Sequence, residues 1–157
     1  MGYKIAAICK NGHDISSYLD SIVPDEKFCS TCGSEVITTC QECNTPIRGK
    51  HVEPHIIDCT PYHVPAYCYA CGAPFPWTQA ALDAAKEVIL EEDAMDEGQR
   101  EKLIASIPDI LTETPKTQVA TVRFKKALAT AGKFTAEALR QFVIDFGCEL
   151  AKKQMGL

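Results

Sequence analysis

No stretch of this chain is long and apolar enough to cross a bilayer. The most apolar run, 142–150, is nine residues and contains Asp145 and Glu149, against the roughly 20 residues a spanning helix needs. A secretory leader is missing too. Met1-Gly-Tyr-Lys-Ile-Ala-Ala-Ile-Cys9 has too short an apolar run and no cleavage pattern after it. Ala6 stands where a myristoylation signal needs Ser or Thr. These absences set the expectation of a cytoplasmic protein with no membrane association, whose thiols stay reduced. Positive charge is scarce in the first half. Residues 1–77 hold 5 Lys and Arg against 8 Asp and Glu, a poor balance for a surface that tracks phosphates. Aromatic residues make up 8% of the chain, with a single Trp.

Cysteine, by contrast, is abundant. Eight of the nine lie before residue 72. Six form Cys-x-x-Cys pairs: Cys29/Cys32, Cys40/Cys43 and Cys68/Cys71. Each pair continues alike, as Cys32-Gly-Ser, Cys43-Asn-Thr and Cys71-Gly-Ala. Gly and Asn tolerate positive φ, which lets the backbone curl until its N–H groups aim at the sulfurs. A fourth pair, Cys9-Lys-Asn-Gly-His13, carries the tight-turn dipeptide Asn-Gly. In a reducing compartment such pairs are metal ligands rather than disulfides.

Four pairs make two tetrahedral sites. The tandem grouping joins Cys9, His13, Cys29 and Cys32 in one site, and Cys40, Cys43, Cys68 and Cys71 in the other. A cross-brace would instead join the first pair to the third in sequence and the second to the fourth. The tandem grouping is preferred, because the β-rich link 35–39 can end one ribbon and begin the next. Zinc is the expected metal, two ions per chain, because one set contains His and both sets are closed. Closed sets leave no position for a catalytic water, so the expectation is not an enzyme. Cys59, Cys148, His51, His55 and His63 are left over. Cys148 reads as a core residue and the histidines as surface groups. A Cys59/His63/Asp58 catalytic set is disfavoured, because sequence neighbours rarely converge in that way.

The fold class expected is α+β: a small metal-stabilised double zinc ribbon of short β-hairpins over 1–77, then an all-α region of about four helices over 78–157. Strands are expected at 3–8, 35–39, 46–52 with a break at Gly49, and 55–58; 14–28 reads as irregular or weakly hairpin-like. The ribbon half is too small to hold itself by burial alone, so metal supplies much of its folding free energy. The first helix is expected over 79–94 with Thr78 as N-cap. The second covers 97–106 and stops at Pro108. The third follows the Thr114-Pro115 start to about Ala131. The fourth runs from Thr135 to about Lys153. Charge is segregated along this half: 78–114 is net −7 and 115–157 is net +5.

Together Cys9-Lys-Asn-Gly-His13, Cys40-Gln-Glu-Cys-Asn-Thr-Pro-Ile-Arg-Gly49, Cys68-Tyr-Ala-Cys-Gly-Ala-Pro-Phe-Pro-Trp-Thr78 and the segment Glu113–Lys126 resemble an uncharacterised bacterial family. Its members have an N-terminal double zinc ribbon and a helical C-terminal region. The resemblance covers most of the chain and implies zinc binding, without an assigned activity. The functional expectation is a non-enzymatic zinc-binding recognition or regulatory module with a protein partner. Tyr62, Tyr67, Tyr69, Phe75 and Trp77 are candidates for an aromatic surface, although Phe75 and Trp77 can instead seal the ribbon against the first helix, the preferred reading for Trp77. A nucleic-acid-binding zinc ribbon and a RING-like cross-brace adaptor remain as alternatives.

Overall fold

The computed structural model describes residues 2–157. The chain is α+β and divides into two compact units, Met1–Ala80 and Ala81–Leu157.

The first unit is built on β1, Gly2–Cys9, which pairs antiparallel with three other strands. On one edge lies β2, Asp14–Leu19, with Ile8 opposite Asp14 and Ile5 opposite Leu19. On the other edge β4, Arg48–Val52, covers the start of β1, and β3, Val36–Ile37, covers its end. Strand side chains alternate faces, and β1 uses both. Ala6 and Ile8 pack with Ile37, Cys40, Ile47, Cys68, Phe75 and Trp77. Ala7 and Cys9 pack with Cys29 and Val36. One strand therefore serves two separate small cores.

Three strand expectations change. Residues 14–19, expected as irregular or weakly hairpin-like, form a full strand, because Asn11-Gly12 reverses β1 directly onto them; Gly12 N–H donates to Cys9 O at 2.8 Å. The break expected at Gly49 is absent. Gly49 stays in β4, where a Cβ would collide with the Ser17 carbonyl, so the missing side chain permits close approach. The strand expected at 55–58 does not form. Ile56 and Ile57 are exposed, and a strand with no partner and no buried face gains nothing.

The second unit contains five helical segments counting α1, Pro76–Leu90, which begins in the first unit. The others are α2, Glu97–Leu111; α3, Thr117–Thr130; α4, Lys133–Phe146; and α5, Glu149–Met155. Their core is Ile89, Leu103, Ile107, Ile110, Phe124, Leu139, Val143 and smaller neighbours. None of these helices is long and apolar enough to cross a membrane.

Helix boundaries differ from expectation for physical reasons. Thr78 does not cap α1. Pro76, with φ already helical, starts the helix three residues earlier than the expected Gln79, and the Thr78 hydroxyl donates to Ala66 O at 2.8 Å. Pro108 does not end α2. It removes one N–H, but Ile107 and Ile110 beside it are fully buried, so the helix continues to Leu111. Asp96 caps α2 in a reciprocal box with Gln99. The single last helix is two. The chain turns extended at Gly147, and Cys148 N–H donates to Ile110 O at 2.8 Å before α5 begins. Thr135, expected as a cap, is buried inside α4.

Candidate metal centre

Each Cys-x-x-Cys pair sits in the same local backbone. The first cysteine's N–H donates to the carbonyl five residues on: Cys29 to Ser34 at 2.8 Å, Cys40 to Thr45 at 2.9 Å and Cys68 to Ala73 at 2.8 Å. Its carbonyl accepts from the residue after the second cysteine: Gly33 at 2.7 Å, Asn44 at 2.9 Å and Gly72 at 2.9 Å. That residue has positive φ in all three turns: 71° at Gly33, 58° at Asn44 and 73° at Gly72. The turn is therefore the reason for Gly or Asn at that position. Isolated bridges Phe28 to Glu35, Thr39 to Pro46 and Tyr67 to Pro74 close each loop at its base. The Cys9/His13 pair does the same at the end of β1, with Cys9 N–H donating to His13 O at 3.1 Å.

These turns bring the eight side chains together in tandem. Cys9, His13, Cys29 and Cys32 form one group; Cys40, Cys43, Cys68 and Cys71 form the other. Within each group all ligand atoms lie within 4.8 Å of one another. In the first, Cys9 Sγ is 3.4 Å from His13 Nδ1 and 3.7 Å from Cys32 Sγ, and Cys29 Sγ is 3.6 Å from His13 Nδ1. In the second, Cys40 Sγ to Cys71 Sγ is 3.7 Å and Cys43 Sγ to Cys68 Sγ is 3.6 Å. A disulfide would need about 2.05 Å. A tetrahedral zinc with sulfur at about 2.3 Å and nitrogen at about 2.0–2.1 Å needs S···S edges of about 3.8 Å and S···N edges of about 3.5 Å. The donor sets fit such an ion. The cross-brace grouping is not the one formed.

The first cysteine of each pair, Cys9, Cys29, Cys40 and Cys68, is buried, while Cys32, Cys43 and Cys71 lie at the surface. Buried cysteines are part of the two cores, so ligand placement and packing are the same event. Backbone donors tune the sulfurs. The Ser34 N–H, ahead of His13 and Asn11, holds Cys32 down to about 6. Thr45, through its hydroxyl at 3.2 Å and its N–H, holds Cys43 down to about 6. Cys71 goes the other way. The Ala73 N–H draws it down, but Cys43, burial, Cys68 and Cys40 together push it up to about 12. Four thiols in one pocket cannot all ionise alone; a divalent cation reverses that repulsion. Asn11 was read in the sequence as a turn residue only, and Ser34 and Thr45 were not singled out, although each sits beside a ligand sulfur.

The remaining candidates stay outside both groups. His51 packs edge-on against Tyr3 with centroids 4.9 Å apart, and His55 and His63 are exposed. Cys59 is exposed, and the Asp58 carboxylate accepts from Thr60 N–H at 2.8 Å and from its hydroxyl at 2.6 Å, closing a local turn. Cys148 packs partly buried against the helical core, as expected. The aromatic surface is smaller than expected. Phe75 and Trp77 are buried and stacked at 4.8 Å, and Trp77 Nε1–H donates to Pro65 O at 2.9 Å. Tyr62 is half-buried and gives its hydroxyl to Arg48 O at 2.5 Å. Tyr69 stays exposed, with the Arg48 guanidinium 3.7 Å above its ring.

Residues 2–155 match the model of a family described as "Uncharacterized protein conserved in bacteria (DUF2321)", and the chain belongs to that family. No curated protein and no solved structure matches the chain.

Proposed function

We propose that this member of an uncharacterised bacterial family is a non-enzymatic, cytoplasmic zinc-binding recognition module that engages a protein partner. The observation that carries the reading is the closure of both donor sets. Each group supplies four protein ligands, so an ion held there keeps no position for water or substrate. Cys9, His13, Cys29 and Cys32 would hold one zinc, and Cys40, Cys43, Cys68 and Cys71 the other. Zinc there supplies folding free energy and rigid turns, not bond making. The turns carry exposed aromatics at their rims, Phe28 beside Cys29/Cys32 and Tyr69 inside Cys68/Cys71, the residue type that anchors protein interfaces. Nucleic acid is the lesser reading, given the acidic balance of residues 1–77.

Two measurements test this. Elemental analysis of protein purified without chelator should give two zinc per chain; one or none in folded protein overturns the zinc model. Affinity capture from the source bacterium should then yield a partner whose binding is lost in Phe28→Ala and Tyr69→Ala variants that keep both zinc ions. Submicromolar oligonucleotide binding at physiological salt, with no such partner, would make nucleic acid the ligand instead.

A further inference from the structure

A cavity of about 380 Å³ in the second unit has Met95, Lys102, Leu103, Arg123, Lys126 and Ala127 in its lining. Its volume lies at the lower end of the range for small-molecule pockets. The floor is apolar, since Met95, Leu103 and Ala127 belong to the helical core. Three cations, Lys102 from α2 with Arg123 and Lys126 from α3, line the remainder, and no carboxylate is among the lining residues. That concentration runs against the unit's own charge. Residues 81–157 carry thirteen Asp and Glu against eleven Lys and Arg. Among the described residues, none of the three cations forms a salt bridge with a carboxylate. Three cations on one cavity wall offer an anion several charge-assisted donors at once. Arg123 is also held in place. Its Nη1–H donates to Ser106 Oγ at 2.8 Å, and that buried hydroxyl donates to Lys102 O at 2.7 Å.

We propose that this cavity binds a small amphiphilic anion, its carboxylate or phosphate head on Lys102, Arg123 and Lys126 and its apolar body on Met95, Leu103 and Ala127. The charged head gains charge-assisted hydrogen bonds from a planar, pre-positioned guanidinium. The apolar body lies against the small exposed parts of these otherwise buried side chains and against the aliphatic stems of the lysines and arginine. A polypeptide is disfavoured because the cavity is small and apolar only at its floor. The site is separate from both metal groups and does not depend on the reading of their function.

The test uses full-length, zinc-loaded protein and sodium decanoate, with decyl phosphate, 1-decanol and decylamine as comparators in calorimetry. Saturable one-to-one binding of decanoate or decyl phosphate is expected, with chemical-shift changes at Leu103, Arg123 and Ala127. The stronger of the two identifies the head group. Lys126→Glu should weaken binding by about tenfold or more, the loss expected for a charge-assisted contact turned repulsive. Arg123→Glu should weaken it further, and Lys126→Glu keeps the test valid if Arg123→Glu disturbs folding. Lys153→Glu should leave binding unchanged. Decanol binding as tightly as decanoate would reduce the site to an apolar crevice and overturn the proposal. So would absence of binding by both anions, or an acidic peptide binding where decanoate does not.

Discussion

The two units are nearly equal in length and are held by different forces. In the first, a third of the buried apolar side chains are cysteines, and the rest are Ala6, Ala7, Ile8, Val36, Ile37, Ile47, Phe75 and Trp77. In the second, Ile89, Leu103, Ile107, Ile110, Phe124, Leu139 and Val143 make one continuous core with no thiol among its fully buried members. Apolar area alone stabilises the second. In the first, β1 and the short β3 each contribute to both small cores, and each core ends on thiols that repel one another when ionised. A unit whose two donor groups fit metal ions and a core-held unit thus share one chain, and they should fail under different perturbations.

Removing metal is the largest such perturbation. Structural zinc contributes about 10–16 kcal/mol of apparent binding free energy in small modules near neutral pH. Chelation of full-length protein should therefore strip hydrogen-exchange protection from the β-strands and Cys turns while 97–155 keeps its protection. Equal loss in both regions would abolish the distinction. Single-ligand variants sharpen it. Cys43→Ser and Cys71→Ser should each lower zinc content from two to one, because both residues belong to one group.

The converse perturbation is Phe124→Ala. Its side chain is fully buried, and truncation should cost about 3–5 kcal/mol in the helical transition while leaving zinc content at two. Loss of zinc in that variant would show the units to be coupled.

Glu92 tests the second unit at its seam. Its carboxylate accepts from Ala94 N–H at 2.9 Å and Gly132 N–H at 3.1 Å, tying the end of α1 to the start of α4. The Thr135 hydroxyl, then these N–H groups, hold its pKa below the ordinary 4.5. A depressed carboxylate stabilises the fold above its unfolded pKa and loses that contribution as pH falls through the lower folded value. Glu92→Gln should melt several degrees lower than the parent at pH 7 by circular dichroism at 222 nm. The difference should shrink as pH drops below 4.5; a gap that persists unchanged in acid would contradict the ionised role.

Smaller effects belong to the first unit's turns and surface. Gly33→Ala, at φ 71° with open space around the new Cβ, should cost about 1–2 kcal/mol, seen as weaker zinc retention in a chelator competition. Lys10→Ala removes an exposed ion pair with Glu35 and should cost less than about 1 kcal/mol.

The metal groups were legible in the residues because the ligand pairs are local. Two cysteines three apart, followed by Gly or Asn, dictate one tight turn whatever surrounds it, and the tandem preference followed from the short β-rich link at 35–39. The α+β class and most helices were legible through apolar spacing. Glu92 was not: in Glu91-Glu-Asp93 it reads as one charge in a solvated acidic run, and only the return of α4 places the Gly132 N–H and the Thr135 hydroxyl against it. Pro108 misled for a similar reason, since its local penalty is visible in sequence and the burial of Ile110 is not. Lys102 lies 21 residues from Arg123, so their shared cavity exists only once α2 packs on α3.

The amino-acid sequence by itself determined the four ligand turns, the donor chemistry and the division into a cysteine-rich part and an apolar helical part, because each is written within a few residues of chain. Tertiary structure alone decided that β1 places one core on each of its faces, that Gly49 lies against the Ser17 carbonyl, that the last helix breaks at Gly147 where Cys148 meets Ile110, and that three cations surround one cavity. Those features depend on distances between segments far apart in sequence, which local propensity does not encode and packing of the whole unit does.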